Sequence, residues 1–142
     1  MSTRTDARDA SLVLAAAQVV ARPGRLAASL EAHLALASAA AEAGASLVIF
    51  PELSLTGYST SLTLRDALEP DAPAYDPLSE LARRHQIVIV AGAPLASPRG
   101  VLIGSITFAP DGSRGTYSKR YLHHSESPIY YACSSTDRKS VV

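Results

Sequence analysis

"GASLVIFPELSLTGY", residues 44–58, decides how the chain is read. Its apolar part, ASLVIF (45–50), is too short for a helix and rich in strand formers, so it reads as a central strand. Pro51 cannot donate to a sheet ladder and ends pairing there. Glu52 then stands at the carboxyl end of the strand, the rim where ligands gather in sheets of parallel strands crossed by helices. The residues alone leave two readings of Glu52. It is a carboxylate poised to take a proton, or a strand-end acid that caps a turn or pairs with an arginine.

Upstream, Leu26, Leu30, Leu34, Ala37 and Ala41 recur at helical spacing over residues 26–43. Alanine favours the helix and Gly44 is its natural stop. Before it, RPGRL (22–26) turns the chain, and residues 11–20 read as a buried first strand behind a polar leader, 1–10. Strand, helix and strand in close succession describe a crossover between parallel strands. Downstream, a short helix is expected over 62–68, a proline-rich surface loop over 69–77, a helix over 78–85 and a third strand over 86–94. VLIGSITFAP (101–110), DGSRG (111–115) and TYSKRYL (116–122) read as a hairpin turning at Asp111-Gly112.

With 142 residues, 47% of them apolar and 18% charged, the chain suits one globular domain rather than disorder. Thirteen basic residues balance thirteen acidic ones, which gives no electrostatic reason to expect nucleic acid or an anionic membrane as partner. The single cysteine, Cys133, excludes an internal disulfide and suits a reducing cytoplasm. SLVLAAAQVVA (11–21) is too short to span a membrane, and Asp6, Asp9 and Gln18 spoil it as a secretory signal. A cytoplasmic location is therefore expected. A nucleotide-binding domain would need a glycine-rich loop after the first strand, yet QVVARPGRL (18–26) holds one glycine.

The opening stretch strongly resembles the first signature of the carbon–nitrogen hydrolases, the nitrilases and amidases. The similarity continues upstream through LAAAQVVARPGRLAASLEAHLALASAAAEAGA, and downstream in IVIVAGAP and GTYSKRYLHHSESPIYY, from about residue 12 to 131. The resemblance implies an α/β fold, here a partial α-β-β-α sandwich of the nitrilase type with its C-terminal half missing. It also implies hydrolysis of a nonpeptide carbon–nitrogen bond in a small amide or nitrile, with no cofactor. Members use a glutamate, a lysine and a cysteine. Glu52 matches the general base, Lys119 the lysine, and Glu126 a second glutamate often found shortly after it. Tyr58 is expected to line the substrate pocket. Homodimers or higher homo-oligomers are implied by the resemblance alone.

Each residue also has a plainer reading. Lys119 could be a surface lysine on a hairpin strand, Glu126 a solvated loop acid, and Tyr58 packing beside Gly57. His33 and His85 read as ordinary helix residues. His123 and His124 with Glu126 make a His-x-x-Glu spacing, but no third ligand is evident and no metal is expected. Cys133 is not expected to be the nucleophile. It follows Glu126 directly, in YYACSST, with no strand and tight turn to present its sulfur. Residues 132–142 form an atypical tail, and one reading of DRKSVV (137–142) is read-through into foreign sequence. The chain is thus expected to be the first part of a hydrolase whose cysteine lies elsewhere. Alone it should be inactive and, with an apolar sheet face uncovered, prone to aggregate. The competing reading is a noncatalytic binding or regulatory protein on the same scaffold.

Overall fold

The computed structural model describes residues 11–58, 67, 69–126 and 130. Apart from residue 67, the helix expected over 62–68 lies outside the described residues, as does the tail from 132. Five strands form one sheet in the order β1 (Leu14–Ala16), β2 (Leu47–Ile49), β3 (Val88–Ser97), β4 (Gly100–Phe108) and β5 (Arg114–Ser118). The first three run parallel, and the last two turn back antiparallel. Helices α1 (Leu26–Glu42) and α2 (Asp76–His85) make the crossovers. None of the helices among the described residues is long and apolar enough to cross a membrane.

Helix α1 occupies the expected span and stops as its sequence requires. Gly44, at φ 84, donates to Ala41 and Ala45 donates to Ala40, a pair of bonds that caps the last carbonyls. The first strand is shorter and more exposed than residues 11–20 suggested. Among the described residues it pairs with β2 alone, and β2 is itself cut to three residues by Pro51. Leu12 and Leu14 remain 69% and 59% exposed because β1 is an edge strand with one face uncovered. Helix α2 begins at Asp76, inside the stretch read as loop, since Pro77 in a first turn has no N–H to lose. A short 3-10 turn, Pro73–Tyr75, leads into it.

Strand β3 outruns the expected 86–94 because β4 pairs with it to Ser97. Its even-numbered residues aim their backbone groups at β2: Val88 donates to Ser46 and Val90 accepts from Phe50. Pro94, with no N–H, falls on that side beyond the end of β2, where no strand among the described residues pairs with it. The β4–β5 hairpin turns at Asp111-Gly112 as expected, with the Asp111 carboxylate accepting from the Ser113 N–H at 2.8 Å and its hydroxyl at 2.6 Å. Arg114 locks the hairpin to the α2 start. Its guanidinium donates to Ser79, Asp76 and the carbonyls of Pro70 and Ala72.

The two faces of the sheet differ. Val48, Ile89, Ile106 and Phe108 face the helices in one core with Ala37, Leu78 and Leu81. The opposite face carries the register row Ala16, Ile49, Val90 and Thr107. At the β3–β4 end a smaller cluster of Leu53, Ala67, Val101, Ile103 and Tyr130 covers it. At the other end Ile49 is 49% exposed and Tyr117 61%. That apolar, partly open face is what one half of a sandwich presents.

Candidate active site

Glu52 sits where β2 ends, on a turn that replaces the lost strand. Leu55 donates to the Gly92 carbonyl at 3.0 Å, and the Gly92 N–H donates to the Ser54 hydroxyl at 3.2 Å. The turn therefore satisfies the β3 backbone groups that β2 no longer reaches. It lies so close that a Cβ on Gly92 would stand 2.3 Å from the Pro51 carbonyl oxygen and 2.4 Å from the Leu53 nitrogen. Only glycine leaves that room. Leu53 is held at φ 52, a left-handed conformation that costs a non-glycine residue about 1–3 kcal/mol and persists only where packing dictates it. Its fully buried side chain in the second cluster supplies that packing.

Lys119 comes from the opposite side of the sheet. Its N–H donates to the Ile103 carbonyl at 2.8 Å, continuing the β4–β5 ladder one residue past Ser118. That register places Lys119 on the face toward which the Glu52 turn folds. Its ammonium lies 3.0 Å from Glu52 Oε2 and 2.9 Å from Glu126 Oε1, bridging the two carboxylates. Tyr58 donates its hydroxyl to Glu52 Oε1 and, at 3.4 Å, reaches Glu126 Oε1. Residues 123–126 close on themselves: Glu126 Oε2 accepts the His123 N–H at 2.8 Å, while the Glu126 N–H donates to the His123 carbonyl.

The electrostatics follow from this geometry. Hydrogen bonds to Glu126 first, and Glu52 second, raise the Lys119 pKa above its ordinary value and hold the ammonium charged. The Lys119 bond, helped by the His123 N–H, lowers that of Glu126 against the opposing effect of desolvation. Two carboxylates and one ammonium leave the group with one negative charge in excess. Glu52 spends two of its roughly four lone-pair positions on Lys119 and Tyr58, so it has room to accept a hydrogen bond from a third group. Its side chain is 38% exposed, on the open side of the cluster.

The four residues singled out from sequence, Glu52, Tyr58, Lys119 and Glu126, thus meet at one point. Cys133 lies outside the described residues. Two further residues shape the site. His33, expected as an ordinary helix residue, is fully buried and bonded to Ser54 at 2.9 Å. A signal existed: residue 33 falls on the stripe of Leu26, Leu30 and Ala37, where an apolar side chain belongs. Gly92 gave no such warning.

A family model described as carbon-nitrogen hydrolase matches residues 13–140, beyond residue 131 at which the sequence resemblance ends. Among solved structures, an amidase from Nesterenkonia sp. superposes with a TM-score of 0.71 at 26% identity, covering 87% of this chain and 48% of that one. A mutant of that amidase in complex with butyramide gives 0.72 at 25%, covering 87% and 49%. A CN-hydrolase superfamily protein from Xanthomonas campestris, with an arsenic adduct in its active site, gives 0.74 at 27%, covering 85% and 46%. The chain spans about half the length of these structures. In another mutant of the Nesterenkonia amidase, acrylamide is added at the active-site cysteine.

Proposed function

The chain belongs to the carbon–nitrogen hydrolase family, and on that premise we propose that it supplies the glutamate and the lysine of an enzyme hydrolysing small amides or nitriles. One observation carries the reading: the Lys119 ammonium stands 3.0 Å from Glu52 and 2.9 Å from Glu126 on an accessible rim. A buried structural ion pair needs one carboxylate. A second, half-exposed one with acceptor capacity to spare is what proton transfer needs.

In this reading the nucleophile is the thiol of a cysteine other than Cys133, by analogy with the active-site cysteine to which acrylamide adds in the Nesterenkonia amidase. Glu52 takes the thiol proton, and the sulfur attacks the amide carbon. The carbonyl π electrons move to oxygen, and Lys119, kept charged by Glu126, stabilises that oxyanion. The C–N bond breaks as Glu52 returns its proton to the departing amine, leaving a thioester. Water then attacks the thioester with Glu52 again as base, releasing the acid and restoring the thiol. Tyr58 orients the Glu52 carboxylate. A single cysteine among residues 1–142 suits a reducing compartment.

The test uses the complete protein that carries this segment, assayed for ammonia release from a small amide such as butyramide. Glu52→Gln is expected to lower kcat by about 10²–10⁴-fold, and Lys119→Met by about 10²–10³-fold. Normal turnover in either variant removes that residue from the site. Residues 1–142 alone are expected to release no ammonia, and measurable release by them overturns the placement of the nucleophile elsewhere.

A further inference from the structure

We propose that the buried imidazole of His33, acting through Ser54, is a positioning residue for Glu52; this rests on the reading of Glu52 as the base. His33 touches the chain on both sides of that carboxylate. Its ring stacks on Phe50, with centroids 4.2 Å apart and planes at 26°, two residues before Glu52. Its Nε2 lies 2.9 Å from the Ser54 hydroxyl, two residues after. One side chain on α1 thus grips the strand end and the turn between which Glu52 is suspended.

The hydrogen bonds run in one direction. Nδ1 is 2.6 Å from the Ser29 carbonyl, which can only accept, so Nδ1 carries the hydrogen. Nε2 is then an acceptor, and the Ser54 hydroxyl donates to it while accepting the Gly92 N–H at 3.2 Å. Gly92, Ser54, His33 and Ser29 form a relay with a hydrogen for each acceptor. Burial depresses the His33 pKa, outweighing the Ser29 bond that opposes it, and this agrees with the neutral tautomer the relay requires.

Packing alone does not call for an imidazole. The buried positions of α1 are Ser29, His33 and Ala37, and an aliphatic side chain at 33 would fill the space but leave the Ser54 hydroxyl without its acceptor. What the polar relay adds is direction. It fixes the Ser54 hydroxyl, and with it the left-handed Leu53 that joins Ser54 to Glu52. A turn free to relax at Leu53 would swing the carboxylate away from Lys119.

The experiment compares Ser54→Ala and His33→Leu with Ile106→Val, a core change on the helix-facing side of β4 that leaves the turn untouched. Two quantities are read in the complete protein: the titration of Lys119, followed by NMR on ¹³C-labelled lysine, and steady-state hydrolysis of butyramide. Ser54→Ala is expected to drop the Lys119 pKa toward its ordinary value, because one of its two carboxylates moves off. It should also lower kcat by about ten- to a hundredfold while KM changes by less than about threefold. Ile106→Val should do neither. If Ser54→Ala melts earlier yet keeps the native Lys119 titration and kcat, the relay is only structural and the proposal is overturned. Should His33→Leu fail to fold, Ser54→Ala, which removes a single hydroxyl, decides. Turnover retained by Glu52→Gln would refute the base, whereas the Lys119 titration judges the positioning independently.

Discussion

The turn at 51–57 and the arm at 119–126 deliver a carboxylate to the same ammonium by different physical means. The turn is held from beneath and behind: Gly92 of β3 lets it settle on the sheet, Leu53 plugs the second cluster, and His33 of α1 grips its flanks. Glu52 is therefore placed by the core, whatever its charge. The arm has left the sheet after a single ladder bond and is organised by the groups it carries, Glu126 accepting from both Lys119 and the His123 N–H. One side of the site is built by packing and the other by charge. The first should fail when volume changes, the second when protonation changes.

Gly92→Ala should break the packed side, with the largest effect. A Cβ inside 2.5 Å of the Pro51 and Leu53 backbone forces the turn off the strand, and a loss of more than about 3 kcal/mol is expected. Chemical denaturation measures it, and a stability close to the parent's would mean that the turn is not clamped. Glu126→Gln strikes the charged side while conserving volume. It is expected to cost about 1–2 kcal/mol and to let the Lys119 titration fall toward its ordinary value, near 10.5.

The pH dependence sharpens the contrast further. Glu126 has a lowered folded pKa, so its contribution is present above its ordinary value of 4.5 and lost as pH falls through the lowered one. Lys119 has a raised folded pKa, so its contribution is present below 10.5 and disappears as pH climbs through the raised value. Melting temperatures across pH should show both limbs in the parent protein. Both limbs should shrink in Glu126→Gln and in Lys119→Met, because each variant breaks the one pair that dominates both shifts, while Gly92→Ala should lower the whole curve and, by carrying Glu52 away from Lys119, also trim its alkaline limb. Glu80→Ala gives the smallest effect. Its pair with Arg83 spans 3.8 Å with both side chains more than 60% exposed, and a change within about 0.5 kcal/mol is expected by equilibrium unfolding.

Much of this was legible because it is local. Alanines and leucines at helical spacing, ended by Gly44, specify α1; Asp111-Gly112 specifies its hairpin; Pro51 marks the strand end that exposes Glu52. The family likeness picked out Glu52, Lys119, Glu126 and Tyr58, and these four side chains do converge. Less legible were the lengths of β1 and β3, since a strand extends only as far as its neighbour. Pairing with β2 trimmed the first, and pairing with β4 extended the other to Ser97. His33 could have been suspected as a polar residue on an apolar stripe. Its partner, twenty-one residues away, could not.

Sequence by itself determined the succession of strands and helices, the acid at a strand end and the lysine on the hairpin, because turn chemistry and side-chain periodicity act between near neighbours. Only the tertiary structure decided that Gly92 must lack a side chain, that an imidazole braces the Glu52 turn, and that one ammonium is shared by two carboxylates. Those facts depend on distances between segments far apart in the chain, and such distances exist only once the sheet has formed.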